Sequence, residues 1–110
     1  MVSACHRLQD TFPIIHIADW QDGAYLSVKD PELLMKLHQE KMLLVSFDRA
    51  SLPMHAGNLS RQGIGHAGVI LFQRSVSSIA YGTQAKLLVG YWRKAGNWDW
   101  ADRIEYLLRP

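Results

Sequence analysis

Met42-Leu43-Leu44-Val45-Ser46-Phe47, closed by Asp48-Arg49, is the stretch whose reading decides the fold class. The run is too short for an ordinary helix and lacks the alternation of a half-solvated strand. It therefore reads as a central parallel strand covered on both faces. Gly68-Val69-Ile70-Leu71-Phe72 has the same character downstream, and the β-branched run Phe12-Pro13-Ile14-Ile15-His16-Ile17-Ala18-Asp19 has it upstream. Between these runs lie helix signals. Asp30-Pro31-Glu32 combines an Asp able to accept backbone N–H bonds, a Pro suited to the first turn and an early acid. Leu33, Leu34 and Leu37 follow at helical spacing up to Lys41. A short helix over Pro53 to Arg61, with Ser51 as a cap, ends at Gly63 and Gly65. A long amphipathic helix is predicted from Val76 to Lys94, and Arg103 to Leu108 reads as a final edge strand. Strand and helix thus alternate, which predicts an α/β fold with a mostly parallel sheet and helices on both faces.

The length of 110 residues suits one domain. With 48% hydrophobic and 20% charged residues, the chain carries enough apolar material for a core and no disorder signature. One cysteine, Cys5, excludes an internal disulfide framework and a Cys-rich zinc module, and fits a reducing compartment. The start lacks a basic region followed by an apolar stretch, and no apolar run approaches the roughly 20 residues that span a bilayer. A cytoplasmic protein with no membrane segment is the expectation. A net charge of +2 is too balanced to mark a nucleic-acid surface by itself.

Ligands of open parallel sheets bind beyond the carboxyl ends of the strands. At that edge the predicted order places Asp19 and Asp22 after the first strand, Asp48 and Arg49 after the second, and Gln73, Arg74 and Ser75 after the third. The crossover brings Asp30 to the same edge. Converging carboxylates resist ionising together unless a cation lies between them, and hard oxygen ligands suit Mg²⁺ or Mn²⁺. Such a site polarises a phosphodiester and activates water. Each residue also has a plainer role. Asp30 caps a helix, Asp48 forms a turn with Arg49, and Asp19 and Asp22 serve a turn or solvation.

Gly63-Ile64-Gly65-His66-Ala67-Gly68 matches G-x-G-x-x-G, but it follows a helix and precedes a strand, the reverse of the dinucleotide-binding context. It reads as a helix stop and a flexible lead into the strand. The histidines at 6, 16, 38, 55 and 66 include no pair at metal-ligand spacing, and only His55 is expected near the crevice. Trp98-Asp99-Trp100, with Trp92, reads as core or as an apolar surface for a second subunit.

The stretch from Ile17 to Leu108 resembles a small PIN-like family of predicted ribonucleases associated with toxin–antitoxin systems. The resemblance rests on Asp19-Trp20-Gln21-Asp22-Gly23, on Asp30-Pro31-Glu32-Leu33-Leu34, and on Leu43-Leu44-Val45-Ser46-Phe47-Asp48, similar to the family's apolar strand ending in Thr-x-x-Asp or Thr-x-Asp. It continues with Leu52-Pro53-Met54-His55-Ala56 and with Gly68-Val69-Ile70-Leu71-Phe72, similar to a Pro-Gly-Val strand with Ala67 in place of proline.

It implies a three-layer PIN-like domain over residues 1–110 and a Mg²⁺- or Mn²⁺-dependent endoribonuclease, the toxin half of a toxin–antitoxin pair. Asp48 and Asp30 would be its catalytic and metal-binding carboxylates, helped by Asp22. Ser46, in place of the usual Thr, and His55 would lie near the substrate, and Arg49 or Arg74 would contact phosphate. The family begins with a strand ending in an Asp-Glu-Asn-type motif and followed by a helix. Here Val2 to Gln9 looks like only the end of that helix, so the first strand and its Asp are absent. The alternative is a catalytically inactive PIN-like module that acts through homodimerisation or binding of a partner such as an antitoxin.

Overall fold

A computed structural model of the protein describes residues 1–108. The helices are α1 (Val2–Leu8), α2 (Asp30–Glu40), α3 (Leu52–Arg61) and α4 (Tyr81–Ala95); the strands are β1 (Leu44–Ser46), β2 (Val69–Phe72) and β3 (Ile104–Leu107). The three strands form one parallel sheet in the order β1-β2-β3, with Val45 opposite Ile70 and Leu71 opposite Tyr106. The class is thus α/β with a parallel sheet, as the alternation of apolar runs and helix signals predicts.

Side-chain alternation along β2 builds two cores. Ile70 and Phe72 pack with Cys5, Phe12, Val76, Leu88 and Trp100 on the α1 and α4 face. Val69 and Leu71 pack with Leu34, Leu52, Ala56 and Leu59 on the α2 and α3 face. All four β2 residues are fully buried, as a continuous Val-Ile-Leu-Phe run demands of a central strand. No helix among the described residues is long and apolar enough to cross a membrane.

Several expectations are corrected. Phe12 to Asp19 forms no strand: residues 12–16 have no regular structure, and a tight 3-10 turn, Trp20–Gly23, follows, with Gln21 and Asp22 in the left-handed region. Local β propensity is present there, but the segment is separated from the open edge of β1 by a groove and does not join the sheet. The run expected to be the central strand instead forms a sheet edge, with β1 half-buried along its length and bonded, among the described residues, only to β2. Asp30 is the first residue of α2 rather than its cap; Lys29 occupies the cap position and no side chain caps the helix. Ser51 stands at the cap position of α3 but makes no capping bond to it. α4 begins at Tyr81, five residues later than expected, because Val76 to Ala80 forms turns instead, tied to the helix by buried Gln84, whose amide donates to the Ser77 carbonyl at 2.8 Å.

Candidate functional site

Two features surround β1. The first lies at the carboxyl ends of β1 and β2, where Phe47, Asp48, Arg49, Ala50 and Arg74 line an open cleft of about 300 Å³. Arg49 is held there by an Nη1 hydrogen bond to the Phe72 carbonyl at 2.9 Å, and the Phe47 and Phe72 rings stack at 4.8 Å. Asp48 is committed to the approach to α3. Its Oδ1 accepts the N–H groups of Ala50 and Ser51 at 3.1 and 3.0 Å, and its Oδ2 accepts the Ser51 hydroxyl at 2.5 Å. The Ser51 hydroxyl first, and these N–H groups with it, hold the Asp48 carboxyl below its ordinary range. Ser46 Oγ in turn accepts the Asp48 N–H at 3.1 Å.

The second is an apolar groove of about 640 Å³ beside β1. Residues 41–46 form one wall and residues 12–17 another, with Ile70, Leu88 and Trp92 among the remaining lining residues. The Leu44 N–H donates to the Gly68 carbonyl at 3.1 Å, so Leu44 bonds toward β2. In a parallel ladder alternate residues bond to opposite sides. Val45 therefore turns its N–H and C=O away from β2, toward the open edge. Among the described residues of the lining, Lys41 and His16 are the ionisable side chains and no carboxylate is present.

A third cluster ties together the segments that lead into β2 and β3. Asp102, in the left-handed region, accepts the Ser60 hydroxyl at 2.7 Å and the His66 N–H at 3.2 Å, and its own N–H donates to the His66 carbonyl at 2.9 Å. His66 is 1% exposed; its Nδ1 accepts the Gly68 N–H at 3.1 Å, while Nε2 has no partner among the described residues. Burial lowers the His66 pKa, against the weaker opposing pull of Asp102. Since the folded value lies below the unfolded one, this histidine's contribution to stability is complete above about pH 6.5 and shrinks as pH falls below it. The urea midpoint is expected to drop between pH 7 and 5. The drop should flatten in His66→Asn, which keeps an acceptor for Gly68 but cannot charge; an equal drop in both proteins would refute the assignment.

Of the residues singled out from sequence, Asp48, Arg49 and Arg74 share one cleft, and Ser46 hydrogen-bonds beside it. Asp22 is exposed in its left-handed turn, Asp30 starts α2, and His55 is half-buried on α3 outside the lining of that cleft. Among the described residues no three His, Cys, Asp or Glu are grouped so as to hold a metal ion. The Asp48 oxygens accept hydrogen bonds from Ala50 and Ser51. Trp100 is buried and donates its indole N–H to the Ala95 carbonyl at 2.8 Å, whereas Trp98 is exposed beneath the Arg103 guanidinium. The groove and the Ser60–Asp102–His66 cluster were not foreseen from the sequence. Comparison of the chain with protein-family models, with curated proteins and with solved structures gives no match.

Proposed function

We propose that this chain is a PIN-like binding module whose sheet is completed by an extended segment of a partner protein laid along β1. The groove against an unpaired strand edge is the observation that carries this reading. An edge strand presents a row of free donors and acceptors, and adding a strand to it is a recurring mode of recognition. Each ladder bond contributes only about 0.5–1.5 kcal/mol net. Apolar side chains filling the groove, at about 25 cal/mol per Å² buried, supply the larger share. The partner segment is accordingly apolar and β-branched. A lining with Lys41 and His16 but no acid among the described residues favours a carboxylate at one end of it. Titration of the full chain with an apolar octapeptide ending in Asp, followed at the amides of residues 43–47, tests this. Light scattering distinguishes a partner from a second copy of the chain: self-association that blocks the peptide would replace the partner by a homodimer.

A second reading, metal-dependent RNA hydrolysis, is favoured by the position of Asp48 at the carboxyl edge of the sheet, beside Arg49 and Arg74. It requires carboxylates beyond those this chain groups together, and an acid-ended partner segment is their natural source. EDTA-sensitive cleavage of RNA in Mn²⁺, appearing only with the partner segment and lost in Asp48→Ala, is its expected result. No cleavage under those conditions leaves the binding role alone.

A further inference from the structure

We infer that the segment taken up along β1 is the carboxyl-terminal tail of its protein, lying antiparallel to β1 with its terminal carboxylate at Lys41 and His16. This rests on the strand-docking reading above and adds to it a direction, a chain end and a side-chain pattern. Both ionisable side chains of the lining stand at the amino end of β1. Lys41 lies between α2 and β1. A chain of contacts brings His16 to the same end: its carbonyl accepts the Trp20 N–H at 3.1 Å, the Trp20 and Tyr25 rings meet at 5.0 Å, and Lys36 Nζ of α2 lies 6.0 Å from the Tyr25 ring. His16 Nδ1 accepts the Ala18 N–H at 3.0 Å, so the neutral ring carries its proton on Nε2 and can donate to a carboxylate without being charged. Glu40, the carboxylate next to Lys41, is already paired with Lys36 at 3.1 Å.

Direction follows from this charge. A strand parallel to β1 would set its amino end at the two donors, whereas an antiparallel strand sets its carboxyl end there. An internal segment would have to run on past this end, where Leu37 and Lys41 from the end of α2 and Trp20 from the tight turn stand in the lining. A terminal carboxylate stops the strand at that point and supplies the negative charge without a side chain, and capture of such a group is a recurring mode of peptide recognition. The register follows from the free edge. The alternation that turns Val45 outward does the same for Leu43, so the last residue of the tail opposes Leu43 and the third from last opposes Val45. Opposed residues share a face, and Leu43 and Val45 pack against the core that holds Ile70 and Leu88. The last and third-from-last side chains are therefore apolar and fill the groove, while the one between them points to the other face.

The test is titration of the full chain with one N-acetylated octapeptide of valine, isoleucine and threonine in three forms: the free acid, the carboxyl-terminal amide, and that amide with Asp as its first residue. The free acid is expected to bind roughly tenfold more tightly than either amide, the scale of a hydrogen-bonded charge. Lys41→Gln should reduce that preference at least threefold while leaving binding of the plain amide unchanged. A nitroxide on the first residue of the free acid is expected to broaden the amides of residues 46 to 48 more than those of 41 to 43. The reverse pattern of broadening, equal affinity of the three forms, or tightest binding by the Asp-first amide would overturn the antiparallel tail and leave the strand-docking reading standing, because a peptide still binds along β1. A full preference for the free acid in Lys41→Gln would also overturn it. Failure of all three forms to bind would overturn both.

Discussion

Gly68→Ala should destabilise the protein by about 3–5 kcal/mol and lower the melting temperature by about 12 °C or more, on the order of 4–8 °C per kcal/mol for a domain of this size. Gly68 sits at φ +112°, a conformation that side chains rarely adopt. A Cβ there would lie 2.8 Å from Leu43 Cδ2, 2.9 Å from the Trp100 carbonyl oxygen and 3.0 Å from Trp100 Cε3. Backbone strain of about 1–3 kcal/mol thus adds to overpacking of similar size. The residue also gives its N–H to His66 and its carbonyl to Leu44, so a shift to relieve the clash would disturb the start of both β1 and β2. Gly82→Ala is the contrasting control. It lies in the first turn of α4 with nothing within 4 Å of a new Cβ, and should stabilise by up to about 1 kcal/mol. Thermal unfolding of the two variants beside the parent checks both signs; similar melting temperatures would contradict the packing described around Gly68.

The second large effect separates neighbouring residues of one strand. Leu44→Pro removes the donor that bonds to the Gly68 carbonyl, and should cost about 3 kcal/mol or more because it breaks the ladder to β2. Val45→Pro removes an N–H that faces the open edge, a place where sheets tolerate proline, so the fold should persist with a smaller loss. Its effect is expected in binding instead: a carbonyl of the partner strand loses its donor and meets a proline ring, and affinity for the octapeptide should fall at least tenfold. Circular dichroism with urea unfolding reads the first outcome and peptide titration the second. Both substitutions destabilising the protein equally would contradict the assignment of Val45 to a free edge.

Much of this architecture is legible in the residues, for identifiable reasons. β2 announces itself because a fully buried strand must be apolar on both faces, and Val69 to Phe72 is. α2 is marked by Asp30-Pro31-Glu32 and by leucines on one side, and its end at Glu40 falls one residue before the expected Lys41. Asp48, Arg49 and Arg74 were placed together by the rule that ligands sit at strand carboxyl ends, and they do share a cleft. What the sequence hides is pairing. Leu43 to Phe47 looks the same whether one strand or two lie beside it, because its apolar side chains meet helices above and below in either case. Phe12 to Ile17 likewise has the composition of a strand but faces β1 across the groove instead of bonding in the sheet. The Ser60–Asp102 and His66–Asp102 bonds span 42 and 36 residues, and neither has a local signature.

Amide exchange at Val45, measured by NMR on the full chain with and without the Asp-ended octapeptide, tests the strand-accepting edge most directly. Saturating peptide is expected to slow exchange of the Val45 N–H and shift its resonance, while Leu44, already bonded to Gly68, changes little; in Val45→Pro, binding followed at the amides of residues 43, 44, 46 and 47 is expected to weaken at least tenfold. Exchange at Val45 that is unaltered by peptide, or peptide binding that survives in Val45→Pro undiminished, would contradict it.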